Sequence, residues 1–106
     1  MSVQHVVLLR FPAELDAEDL RAFRATLAGM PDTVGGFRAL RFGAERNGGA
    51  RARGYQYLMY SEHDDPPSLA AYLAHPAHRA LGAWVADRGG ELLAFDYELD
   101  DTTVLL

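Results

Sequence analysis

Val3-Gln4-His5-Val6-Val7-Leu8-Leu9-Arg10-Phe11 reads as a β-strand with two apolar faces. Val3, His5, Val7, Leu9 and Phe11 fall on one parity, and Gln4, Val6, Leu8 and Arg10 on the other. Strand side chains alternate between the two sides of a sheet. A sheet wetted on one side would carry a polar residue at every second position. Here both faces are apolar around Val6 to Leu9, so both need cover.

Working outward, Asp16 reads as a helix N-cap with Glu18 and Asp19 in the electropositive first turn. Leu20, Phe23, Leu27 and Met30 form one apolar stripe at helical spacing, which Gly29 and Pro31 are expected to end. Gly36 to Gly43 is a second strand, with Leu40 and Phe42 on one face and Phe37 and Ala39 on the other. Glu45 to Gly54, containing Asn47-Gly48-Gly49 and several arginines, is a hairpin loop. Gly54 to Glu62 is a third strand, with Tyr55, Tyr57 and Met59 opposite Leu58 and Tyr60. Asp64-Asp65-Pro66-Pro67 opens a helix running from about Ser68 to Arg88, broken at Pro76 because the residue before proline avoids the α region. Gly89-Gly90 stops it, and Leu92 to Leu99 is the last strand.

The order β-α-β-β-α-β predicts an α+β, ferredoxin-like protomer with both helices on one side of an antiparallel sheet. Val6, Leu8, Leu40 and Leu93 or Phe95 are expected to furnish the opposite side, and an exposed apolar patch of that kind marks an interface. The expectation is a two-fold homodimer packed sheet against sheet, a dimeric α/β barrel, with Val104-Leu105-Leu106 also lying on the partner.

The 106 residues (11.7 kDa) suffice for one domain, with a core at about 3–99 and a short tail at 100–106. Ten basic and fifteen acidic residues give a net charge of −5, which argues against nucleic acid or an anionic membrane surface as a partner. Every basic residue is arginine, so no lysine Schiff base is available, and without cysteine there are no thiolate metal sites, disulfides or thiol nucleophiles. Met1-Ser2-Val3-Gln4-His5 lacks the pattern of a secretory leader, and no apolar run approaches a membrane span, so a cytoplasmic protein is expected.

The chemistry-bearing candidates are the histidines, the bases strongest near neutral pH. His5 lies inside an apolar strand face; His75 and His78 flank Pro76-Ala77 at the helix break, one turn after Tyr72. A pocket built from His5, Tyr72 and His78 would let an imidazole take a proton from a weakly acidic carbon while a tyrosine hydroxyl stabilises the enolate. Val7, Leu9, Phe23, Leu27, Tyr57, Met59, Leu81 and Trp84 would supply apolar walls for a small apolar or aromatic ligand. The plainer reading makes His5 a hydrogen-bonded core histidine, the aromatic stripe ordinary packing, and His75 a residue closing the first helical segment through its last carbonyls. His63 is expected at the solvated edge of a polar loop, and Asp96 in a capping or edge role. A metal site from His5, His75 and His78 is not supported, because a proline splits the pair and no nearby carboxylate completes a set. Gly48-Gly49 is not followed by a helix, so no nucleotide is expected.

Three segments, Val3 to Phe11, Tyr72-Leu73-Ala74-His75-Pro76-Ala77-His78 and Leu92-Leu93-Ala94-Phe95-Asp96-Tyr97, resemble the stress-responsive dimeric α/β-barrel (Dabb) family. The resemblance extends to about Tyr97, and Tyr-x-x-His-Pro-x-His is its most specific piece. It implies a ferredoxin-like protomer in a barrel dimer and, by likeness to a plant polyketide cyclase of the family, cofactor-free aldol chemistry. On that likeness His78 is the base, Tyr72 assists and His5 lines the site. Leu27 and Tyr57 depart from the polar pocket residues that the likeness leads one to expect. The expected function is therefore a cyclase or lyase acting on a β-keto or polyketide-type substrate, with no cofactor and no metal. The alternatives are a non-enzymatic ligand-binding, stress-associated dimer, or a cofactor-free monooxygenase acting on an aromatic compound.

Overall fold

A computed structural model describes residues 1–48 and 50–106. The elements are β1 (Val3–Arg10), α1 (Ala17–Val34), β2 (Phe37–Ala44), β3 (Tyr57–His63), α2 (Pro66–Ala74), α3 (Pro76–Asp87) and β4 (Glu91–Glu98). The strands form one sheet in the order β2-β3-β1-β4, with every neighbouring pair antiparallel. This is the βαββαβ ferredoxin-like arrangement.

The helices start where capping chemistry demands. The Asp16 side chain accepts from the Asp19 N–H at 2.7 Å, and that of Asp65 from the Ser68 N–H at 2.8 Å, ahead of Pro66-Pro67 in the first turn. The α1 terminus corrects the expectation that Gly29 and Pro31 end the helix, which runs through Pro31 to Val34. The missing proline N–H is tolerated near this end. Thr33 Oγ1 donates to the Gly29 carbonyl at 3.0 Å, and the Gly35 N–H reaches the Pro31 carbonyl at 3.0 Å. Gly35, at φ 80°, then supplies the positive-φ stop. The third strand begins later than expected, at Tyr57, because the chain is still turning at Gly54. Gly49 of the Asn47-Gly48-Gly49 turn lies outside the described residues.

All three helices cover one side of the sheet. Phe23, Leu27 and Met30 of α1, Leu69 and Tyr72 of α2, and Leu81 and Val85 of α3 are buried with Val3, Val7, Leu9, Tyr57 and Met59. The register places Leu40 opposite Ser61, and Ser61 opposite His5. Leu40 thus belongs to the helix side, correcting its expected place on the open side. A bulge between Phe37 and Ala39 turns Phe37 inward as well, opposite His63. The open side carries Val6, Leu8, Leu58, Leu93, Phe95 and Tyr97, of which Phe95 is 67% and Leu93 53% exposed. Among the described residues no helix is long and apolar enough to cross a membrane.

Candidate functional site

The inward parity of β1 sets His5 between two polar cross-strand neighbours, Ser61 on β3 and Asp96 on β4. His5 Nδ1 is hydrogen-bonded to an Asp96 carboxylate oxygen. A carboxylate accepts and does not donate, so Nδ1 carries the proton and Nε2 is left as the basic nitrogen. His63, two residues beyond Ser61 on the same face, is completely buried. Its Nε2 lies 2.8 Å from Ser61 Oγ, while its Nδ1 has no partner among the described residues.

The helix side supplies the other half. Pro76 has no N–H, and the Ala77 N–H is taken by His75 Nδ1 at 3.0 Å. The Leu73 carbonyl is therefore left without its helical donor, and His78 hydrogen-bonds to it. His75 closes α2 as expected, as its C-cap with the backbone N–H donating to the Tyr72 carbonyl, and in addition its side chain is the N-cap of α3. This break lets Tyr72 and His78 meet although six residues separate them. Their rings stand edge to face with centroids 4.6 Å apart. Tyr72 is also stacked on His63 at 5.3 Å, lies 5.0 Å from Phe37, and is 6.4 Å from His5.

His5 and His78 share the wall of a half-enclosed cavity of about 140 Å³. Val7, Leu9, Phe23, Met59 and Leu81 line it with them, and Leu73, Gly82, Leu92 and Ala94 complete it. Leu73 and Leu92 are exposed, so the opening lies between the α2–α3 break and β4. Tyr72 is nearly inaccessible and backs His78, off the cavity wall. Leu27, Tyr57 and Trp84 stand apart from this cavity. Leu27 is buried under α1, the Tyr57 hydroxyl accepts from the Leu15 N–H at 3.3 Å, and Trp84 packs on Phe11 and Phe23 beneath the Arg88 guanidinium.

Burial sets the proton affinities. It lowers His78 below the usual imidazole value, with the hydrogen bond to Leu73 opposing and the nearby His5 adding to the effect. Burial likewise lowers His63, aided by His5. The Tyr72 hydroxyl is pushed up to about 12, so it remains a donor at neutral pH. The cavity thus joins an uncharged imidazole, a second imidazole oriented by a carboxylate, and an adjoining phenol, in surroundings that are otherwise apolar.

Asp96 and His63 are the polar groups whose place at this site went unread. Asp96 shares the parity of Leu92 and Ala94, so pairing β4 with β1 necessarily turns it toward His5. His63 gave no such signal, because its burial depends on α2 folding back over the end of β3. Its expected solvated position is corrected accordingly.

Comparison with known proteins bears on the family and the fold. The family model described as the stress responsive A/B barrel domain matches residues 3–99. Olivetolic acid cyclase of Cannabis sativa is 23% identical over 97 residues, covering 92% of this chain and 96% of that protein. A dimeric protein of ferredoxin-like fold from Bacteroides fragilis is 25% identical, with a TM-score of 0.76, and the match covers 92% of this chain and 96% of that one. A hydroxynitrile lyase from Passiflora edulis, at 13% identity, shares the fold with a TM-score of 0.81 and 97% of both chains covered.

Proposed function

The chain belongs to the stress-responsive A/B barrel domain family, and on that premise we propose that its cavity carries out cofactor-independent acid–base chemistry of the cyclase or lyase kind on a small β-keto or polyketide-type compound. The observation that carries the reading is the presence of His5 and His78 on one apolar wall, with His5 held by Asp96.

In this mechanism the nitrogen of His78 not bonded to Leu73 removes a proton from the carbon beside a carbonyl. The electron pair moves onto the carbonyl oxygen, while Tyr72, packed edge to face behind His78 and off the cavity wall, holds the imidazole at the reacting carbon. This role places the carbonyl end of the substrate at the α2–α3 break. The carbanionic carbon then attacks a second carbonyl, and the proton held by His78 passes to the new alkoxide. His5, steadied by Asp96, orients the substrate or His78. A cavity of about 140 Å³ suits one aromatic ring or a short acyl segment, since an apolar cavity of about 150 Å³ holds benzene. A longer chain would emerge past Leu73 and Leu92.

The functional unit is a homodimer packed open side on open side. Its support is the exposed row of Leu58, Leu93 and Phe95 together with the dimeric protein of the same fold. Fully burying side chains of this size is favourable by about 1.5–3 kcal/mol each.

The test is a panel of small β-keto acids, cyanohydrins and phenols assayed for turnover, oxygen uptake and NMR shifts of the His5 and His78 rings. Turnover that is lost in His78→Ala while the dimer persists supports the proposal. Binding with no turnover of any compound by the native protein favours the ligand-binding dimer, and oxygen uptake with a phenol favours the monooxygenase.

A further inference from the structure

Gly82 is the one residue on the wall of the His5–His78 cavity that has no side chain. It lies in the interior of α3, where glycine is the least favourable residue after proline. Neither usual reason for a glycine applies. Its φ is not positive, unlike that of Gly35 or Gly89, and no neighbour crowds it. A Cβ at Gly90 would lie 2.5 Å from Val85, and one at Gly36 3.0 Å from Ser68, whereas one at Gly82 meets nothing within 4 Å. What the absent side chain leaves is room.

That room is at the mouth of the cavity. On a helix of 3.6 residues per turn, Gly82 shares a strip with His78, one turn before it, and Val85, one turn after. His78 and Val85 both line the cavity, and Leu92 and Ala94 line it from the sheet. Gly82 is itself exposed, as are Leu73 and Leu92. The rim is thus made of two leucines and a bare stretch of helix. Gly29 of α1 also has open space around it but stands off the cavity wall.

We infer that Gly82 determines the specificity of the cavity, by letting an aromatic ring carry an apolar substituent out through the gap between Leu73 and Leu92. The inference rests on the use of the cavity proposed above and states which molecules it takes. About 140 Å³ is filled by a single ring, since an apolar cavity of about 150 Å³ holds benzene. Whatever extends beyond the ring must cross the rim, where each methylene laid on Leu73 and Leu92 adds affinity. A side chain at position 82 takes that path away and leaves the space of the ring untouched. Valine suits the purpose, because its short branched side chain is stiff at χ1 and obstructs the rim without filling the floor.

Acetophenone and 4-butylacetophenone serve as probes, titrated into the native protein, Gly82→Ala, Gly82→Val and the control Gly29→Ala, and followed by the NMR shifts of the His5 and His78 rings. In Gly82→Val the dissociation constant of acetophenone is expected to stay within about threefold of native, and that of 4-butylacetophenone to rise at least about tenfold, the worth of about two methylenes. Gly82→Ala is expected to fall between these limits and Gly29→Ala to match the native protein. Thermal denaturation is expected to show Gly82→Ala melting above native, since the helix gains propensity. Weakening of both probes alike in Gly82→Val, or of neither, overturns the inference, as does failure of the native protein to bind the butyl compound. Unfolding of Gly82→Val contradicts the open space and overturns it as well. Discrimination of this kind without turnover of any β-keto compound leaves the inference standing and removes only the catalytic reading.

Discussion

His5 and Asp96 face each other across the β1–β4 pair, and the Asp96 carboxylate fixes the proton of His5 on Nδ1. Asp96→Asn offers an amide that can donate instead, which favours the wrong tautomer. Turnover is expected to fall about ten- to a hundredfold with little loss of stability, because Asp96 lies on an exposed edge strand. Steady-state kinetics and the nitrogen shifts of the His5 ring check both halves.

His78→Ala is expected to lower turnover by about 10²–10⁴-fold. In the native protein the base must be unprotonated, and burial shifts His78 below 6.5. Activity is thus expected to be full at neutral pH and to decline only as the pH drops below 6.5. A pH–rate profile whose acidic limb lies above 6.5 contradicts His78 as the base.

Stability follows the same titrations. His63 and His78 have folded-state values depressed below their unfolded ones, so the unfolded chain binds more protons as the pH falls below 6.5. Their contribution is intact above 6.5 and diminishes below it. His63→Phe removes one titration and the unpartnered Nδ1, so its melting temperature is expected to vary less than that of the native protein between neutral and mildly acidic pH, as thermal denaturation will show.

His75→Ala removes the acceptor of the Ala77 N–H and is expected to cost about 1 kcal/mol. His75→Asn or His75→Ser restores most of it. Urea denaturation measures the difference, and the spacing between Tyr72 and His78 is expected to loosen with the lost cap.

Phe95→Asp places a charge in the middle of the open side and is expected to convert the proposed dimer to monomer at micromolar concentration, by light scattering. The protomer itself should remain folded, since Phe95 takes no part in the core beneath the helices.

The order of elements and the helix break at Pro76 were legible because strand alternation, caps and proline act locally. Leu40 was misassigned because parity shows which residues share a side, not which side the helices take, and the bulge at Phe37 hides from any strict alternation. Gly29 and Pro31 misled because Thr33 and Gly35 satisfy the carbonyls near the end of α1. His5, Tyr72 and His78 stood out by residue type, but their closeness depends on three chain segments folding over one another. Asp96 needed the β1–β4 register, and His63 needed the cover of α2; neither is written in the residues beside it.

The strand that carries Asp96 borders the mouth of the cavity through Leu92 and Ala94, while its outer row, Leu93 and Phe95, faces away from the helices. One ribbon is thus doorpost on its inner edge and seam on its outer edge. In the dimer and cavity function proposed above, admission of a small molecule is tied to self-association through it, and specific activity is expected to sag on dilution well before any protomer unfolds.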